Sequence, residues 1–133
     1  MFREIALTSF TVAAILFPLD FLWLKTMRPF YESQMGGMLL PEPRIAVAVG
    51  FYLLYAIGVA FFAVHPNLPQ GNALSAAAYG AFFGLVAYGV YDLTNYATLR
   101  DFPFKIMIVD LAWGTFLTGF TACGAWLVRS WFA

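Results

Sequence analysis

Residues 80–111, GAFFGLVAYGVYDLTNYATLRDFPFKIMIVDL, decide how this chain folds. They read as two apolar helical runs joined by a short turn, and each run carries a carboxylate into its apolar surroundings. Asp92 and Asp110 lie nine residues on either side of Asp101. An antiparallel hairpin turning there sets the two acids level, and the same register puts Tyr88 opposite Gly114. On the first helix Gly80 and Gly84 make a small-xxx-small contact, and that face continues as Tyr88, Tyr91, Asp92 and Asn95. On the second, Asp110, Gly114, Thr118, Thr121 and Ala125 form a matching narrow stripe.

Composition extends this reading to the whole chain. Of 133 residues 62% are hydrophobic, 20% aromatic and 11% charged, against roughly one quarter charged in a soluble domain. The expected class is all-α: a polytopic membrane protein with four transmembrane helices in an antiparallel bundle. It forms one domain over residues 1–133, with spans near 5–24, 45–64, 74–97 and 104–128. Net charge is zero, so nothing points to nucleic acid. Cys123 sits alone in an apolar run and reads as a packing residue, while His65, beside Pro66 at a helix end, reads as a surface group. No motif for a haem, flavin, nucleotide or zinc is present, so the sequence names no cofactor and assigns no metal site.

Ile5–Leu24 has the charge flank of a secretory signal, with Arg3 and Glu4 before it. The run is too long for a signal core, no small-x-small cleavage site follows, and the sequence opens at Met1, so a retained span is expected. Pro18 is expected to kink it just before Asp20 and Trp23. Ser9, Ala13, Leu16, Asp20, Trp23 and Met27 fall at helical spacing, which turns Asp20 towards the bundle. Lys25–Arg44 mixes basic residues with Phe30, Tyr31, Met35, Met38 and Leu39 and reads as an interfacial helix in the first cytoplasmic loop, the alternative being an irregular surface loop. Gly36 and Gly37 break it. Ile45–Val64 carries no charge, and Gly50 and Gly58 are expected to allow close helix contact. Asp101 is the expected N-cap of the last helix. Trp23, Trp126 and Trp131 near span ends suit interface anchoring, and Trp113 lies close to Asp110.

Basic residues give an orientation. Lys25, Arg28, Arg44, Arg100 and Lys105 fall on one side of a four-span bundle, and only Arg3 and Arg129 on the other. The positive-inside rule then puts both termini in the periplasm and the two basic loops in the cytoplasm. At about 1.5 Å per residue, Asp20 and Asp110 lie roughly 7.5 Å from Lys25 and Lys105, and Asp92 roughly 12 Å from Arg100. All three acids therefore belong to one layer at the cytoplasmic leaflet. Each charged aspartate costs about 2.5–3.5 kcal/mol at the bilayer centre, a cost usually tolerated for function or specific pairing. Carboxylates gathered in low dielectric need a proton, a base or a metal between them; oxygen-rich ligands would suit magnesium, calcium or manganese. Lys25, Arg28, Arg100 and Lys105 are long enough to snorkel towards the layer as headgroup-facing cations, and Tyr91, Thr94 and Asn95 offer hydrogen bonds.

Several stretches together resemble one family. Tyr91-Asp92-Leu93-Thr94-Asn95, Ala97-Thr98-Leu99 and Val109-Asp110-Leu111-Ala112-Trp113-Gly114-Thr115 resemble the running motif YDLTN-x-ATL…D-x-AWG of a small bacterial inner-membrane family of unknown function. The likeness extends to Asp20-x-x-Trp23 and to Phe51-Tyr52-Leu53-Leu54-Tyr55, with departures at Val90 and Tyr96. The resemblance implies a four-span protein of the bacterial inner membrane and supplies no catalytic residue.

The first functional reading is an amphiphile-binding or lipid-modifying protein with membrane lipid as its partner. Its candidate site is Asp20, Trp23, Tyr88, Tyr91, Asp92, Asn95, Asp110 and Trp113, with the basic loops drawing anionic lipid. The alternative is an accessory subunit packed on a larger membrane complex, or a homo-oligomer; a proton or cation carrier ranks lowest, because no polar stripe reaches the outer face. A fourth possibility makes the acids glue: Asp92 and Asn95 hold helices together, Asp20 bonds backbone freed by Pro18, and Asp110 pairs with Tyr91.

Overall fold

A computed structural model describes residues 1–132, and within them every long element is a helix: α1 Phe2–Met35, α2 Ile45–Val59, α3 Ala73–Thr98 and α4 Phe104–Trp131. Four helical stretches are long and apolar enough to cross a membrane, so the chain is an all-α polytopic membrane protein. The second reaches that length because α2 runs on through a π-helical turn at Ala60–Val64 and a 3₁₀ turn at His65–Asn67. Asn67 secures this widened end: its amide donates to the Ala63 carbonyl at 2.8 Å, and its own carbonyl accepts from the Trp126 indole at 2.8 Å. His65, beside Pro66, is half-buried here with its Nδ1 enclosed. Asn72 then caps α3 through a reciprocal capping box with Ser75.

The α3–α4 hairpin has the register that the acids demand. A Cβ at Gly114 would overlap the Tyr88 ring, one at Gly84 the Gly114 carbonyl and Thr118, and one at Gly80 would lie 2.6 Å from Ala122. Tyr88 with Gly114, Gly84 with Thr118, and Gly80 with Ala122 are each symmetric about residue 101, as are Asp92 and Asp110. Without side chains at these points the two backbones approach closely, which is how helices associate where lipid supplies no hydrophobic drive.

The α1–α4 pair is pinned at both ends. Glu4 pairs with Arg129 at 2.5 Å, and Asp20 accepts from the Trp113 indole at 2.9 Å. Between these points the buried row Thr8, Val12, Leu16 on α1 faces the buried row Leu117, Thr121, Ala125 on α4, both at four-residue spacing. Ser9 and Ala13, expected at the centre of the α1 stripe, flank it half-buried. The row from Glu4 to Asp20 measures about 24 Å, close to the depth of the hydrocarbon core.

Residues 25–35 do not form a separate surface helix. They extend α1 without interruption across Pro18 and Pro29, and Phe30, Tyr31 and Met35 pack on Phe102, Ile106 and Met107 at the start of α4. That apolar contact draws the segment onto the bundle while Lys25 and Arg28 stay exposed. Gly36 ends the helix with φ at 49°, in the left-handed region that suits glycine. Asp101 does not cap α4; Pro103 occupies the N-cap position, with no side-chain bond. Gly58 meets the Phe83 ring, whereas Gly50 meets nothing within 4 Å and makes no helix contact.

These glycine environments lead to a comparison. Gly114→Leu is expected to cost about 2–3 kcal/mol by forcing Tyr88 and α3 aside, and Gly50→Ala to change stability by less than about 1 kcal/mol. Denaturation midpoints in mixed micelles measure both.

Candidate functional site

α2 and α3 converge through residues 60–64, and their backbones make few close approaches elsewhere. Tyr55 closes the lower part of the gap, with its ring 5.5 Å from Phe83 and 6.3 Å from Tyr88. Above these rings lies a cleft of about 750 Å³ whose back wall is made by α1 and α4. Its mouth is flanked by Phe51 on α2 and by Val90 and Tyr91 on α3, all exposed at the bundle surface. Met35 and Leu39, from the end of α1 and the following turn, cover the polar end.

Each acid is placed by a different set of helices. Asp20 is 4% exposed and accepts from the Tyr52 hydroxyl of α2 and the Trp113 indole of α4. Those donors, not backbone freed by Pro18, hold it. Asp110 accepts from the Tyr31 hydroxyl at 2.8 Å, so its partner is the end of α1 and not the neighbouring Tyr91. Tyr31 in turn accepts from the Trp23 indole at 3.2 Å, and Trp23 stacks on Trp113 with centroids 4.2 Å apart and planes 4° from parallel. The outcome is one continuous network, from Asp110 through Tyr31, Trp23 and Trp113 to Asp20 and Tyr52.

Asp92 stands behind this network. It is wholly buried beside Asp110, does not line the cleft, and has no hydrogen-bond donor to either oxygen among the described residues. Unpartnered buried oxygens are uncommon and costly, which marks the position as unlike an ordinary interhelical contact.

The remaining candidates divide cleanly. Trp23, Tyr88, Tyr91, Asn95 and Trp113 line the cleft together with Asp20 and Asp110. Lys25, Arg28, Arg100 and Lys105 do not; all four are exposed, and Arg28 is paired with Glu32 at 2.7 Å. Thr94 reaches the lining but bonds its hydroxyl to its own helix at Val90. Tyr31, Tyr52 and Tyr55 are lining residues that the sequence reading leaves outside the site. A usable signal existed for Tyr52 and Tyr55, two phenols three residues apart in a span with no other strong donor. Tyr31 carries no such signal, because it lies in a segment whose charges suggest the membrane surface.

Chemically, the cleft presents carboxyl oxygens and phenols at one end and aromatic and aliphatic surface elsewhere, the makeup of a pocket for a molecule with a polar head and an apolar body. Among the described residues no three acid, histidine or cysteine side chains converge as a metal-binding group. No curated protein and no solved structure matches the chain. A family described as "Predicted membrane protein (DUF2177)" matches residues 5–127, nearly the full length, and the chain belongs to that family.

Proposed function

We propose that this protein binds an amphiphile of the surrounding bilayer in the α2–α3 cleft, its polar head at Asp20, Tyr31, Tyr52 and Asp110 and its tail leaving between Phe51 and Val90. The observation that carries this reading is the lateral opening: a cleft of about 750 Å³, acid and phenolic at one end, reaches the bundle surface between two helices that diverge. A site serving a water-soluble ligand has no need of an apolar exit on that face. Asp92 behind Asp110 gives the acid that lines the cleft a neighbouring carboxyl with which to exchange a proton, which supports a further role in modifying the bound molecule. The same reading places the protein in the bacterial inner membrane with both termini periplasmic, on the strength of the basic loops.

A second reading, an accessory subunit, is favoured by a different observation. A shallow groove of about 460 Å³ on the α3–α4 face is lined by the small residues Ala77, Ala81, Ala112, Thr115 and Gly119 together with the larger Leu85, Leu111, Phe116 and Phe120, an apolar surface that suits a helix of another membrane protein or of a second copy.

Three outcomes are expected. In native mass spectra of protein extracted from its membrane, the wild type carries one amphiphile per chain, and Asp110→Asn and Tyr31→Phe each lower its occupancy about ten-fold with helix content retained. A stable larger assembly with no bound amphiphile in any variant would falsify the cleft reading and leave the subunit one. In a Cys123→Ser background, Arg3→Cys reacts with an impermeant maleimide in intact cells, whereas Asp101→Cys reacts only after lysis.

A further inference from the structure

We infer that the head this cleft selects is a cation, an ammonium or similar organic group on an apolar tail; the inference rests on the reading of the cleft as an amphiphile site. Its starting point is a charge imbalance. Asp20 and Asp110 line the cleft, Asp92 lies behind Asp110, and no lysine or arginine lines it. The only ion pairs among the described residues are Arg28 with Glu32 and Arg129 with Glu4, so no basic side chain offsets any of the three aspartates. In low dielectric, carboxyls without a counter-charge hold protons, and a positive ligand can take the place of a proton while a negative one cannot.

The second observation is independent of the acids. The walls between Asp20 and Asp110 are aromatic: the Trp23–Trp113 stack on one side, with Tyr52, Tyr55 and Tyr88 around it. Aromatic faces carry partial negative charge and hold organic cations, quaternary ammonium above all, without requiring a hydrogen bond. The pocket thus offers two attractions that add for an organic cation. A bare metal ion gains little from it, because its acids do not converge as ligands. Exposed Lys25, Arg100 and Lys105 can hold the phosphate of a zwitterionic lipid whose ammonium enters the cleft, so the same chemistry admits a membrane aminolipid or a free cationic amphiphile.

The test uses the full chain in dodecyl maltoside micelles, titrated separately with dodecyltrimethylammonium, dodecyl sulfate and uncharged octaethylene glycol dodecyl ether. Binding is followed by native mass spectrometry and tryptophan fluorescence. The expected result is saturable one-to-one binding of the ammonium probe, at least about ten-fold tighter than either of the others, with an emission change from the stacked indoles. Asp20→Asn and Asp110→Asn are each expected to remove most of that preference, lowering binding of the ammonium probe more than binding of the uncharged one. The wild-type comparison stands even where a variant fails to fold. Equal binding of all three probes, or preference for the sulfate, overturns the cation inference while sustaining an amphiphile site. No saturable binding of any probe overturns both. Competition by phosphatidylethanolamine supports an aminolipid as the natural source, and ammonium binding that this lipid leaves intact supports a free cationic amphiphile.

Discussion

A carboxyl group in hydrocarbon has no water to lean on, so its helix is held wherever another helix offers a donor. In this bundle that requirement ties α1, α2 and α4 together. Asp20 of α1 is held by Tyr52 of α2 and Trp113 of α4, Asp110 of α4 by Tyr31 of α1, and Asp92 of α3 lies beside Asp110. Rotate α1, α2 or α4 by a residue and a donor leaves its acid, at the cost of a buried unsatisfied charge or dipole. Glycine-lined contact between α3 and α4 sets how close the helices come, while the acids set which faces meet.

The two kinds of contact are distributed unevenly, and the site follows from that. α3 and α4 are closely apposed along the Gly80, Gly84 and Gly114 contacts, and α1 is fastened to α4 at Glu4 and Asp20. α2 is joined to α3 mainly at one end, where the π-helical turn and Asn67 lock it against the start of α3 and the Trp126 indole. Its other end stands away, and the space so left is lined by the residues that bind the acids. The hydrogen-bond network and the opening are therefore two aspects of one arrangement of helices.

Much of this is legible in the residues. Charge and hydropathy suffice for four spans, and the spacing of Asp92, Asp101 and Asp110 suffices for the hairpin register, because small residues at Gly80, Gly84 and Gly114 agree with the acids about which faces touch. The partners of Asp20 and Asp110 are not legible in the same way. Tyr52 lies in a span with no charge to fix its facing, and Tyr31 lies beyond Lys25, Arg28 and Pro29, which argue locally for a membrane surface or a helix end. Tertiary burial of Phe30, Tyr31 and Met35 overrides that local signal. Asn67, in a turn rich in proline, likewise gains its role only once the preceding helix has widened.

Since α1 precedes α2 and α4 in the chain, Asp20 leaves the ribosome before either of its donors exists. Tyr52 follows thirty-two residues later, and Trp113 only with the last span. Biogenesis therefore passes through a stage in which the leading helix carries an unsatisfied acid, a state that favours retention beside the insertion machinery or a shallow, mobile seating. Only with α4 does α1 gain the partner that satisfies its acid.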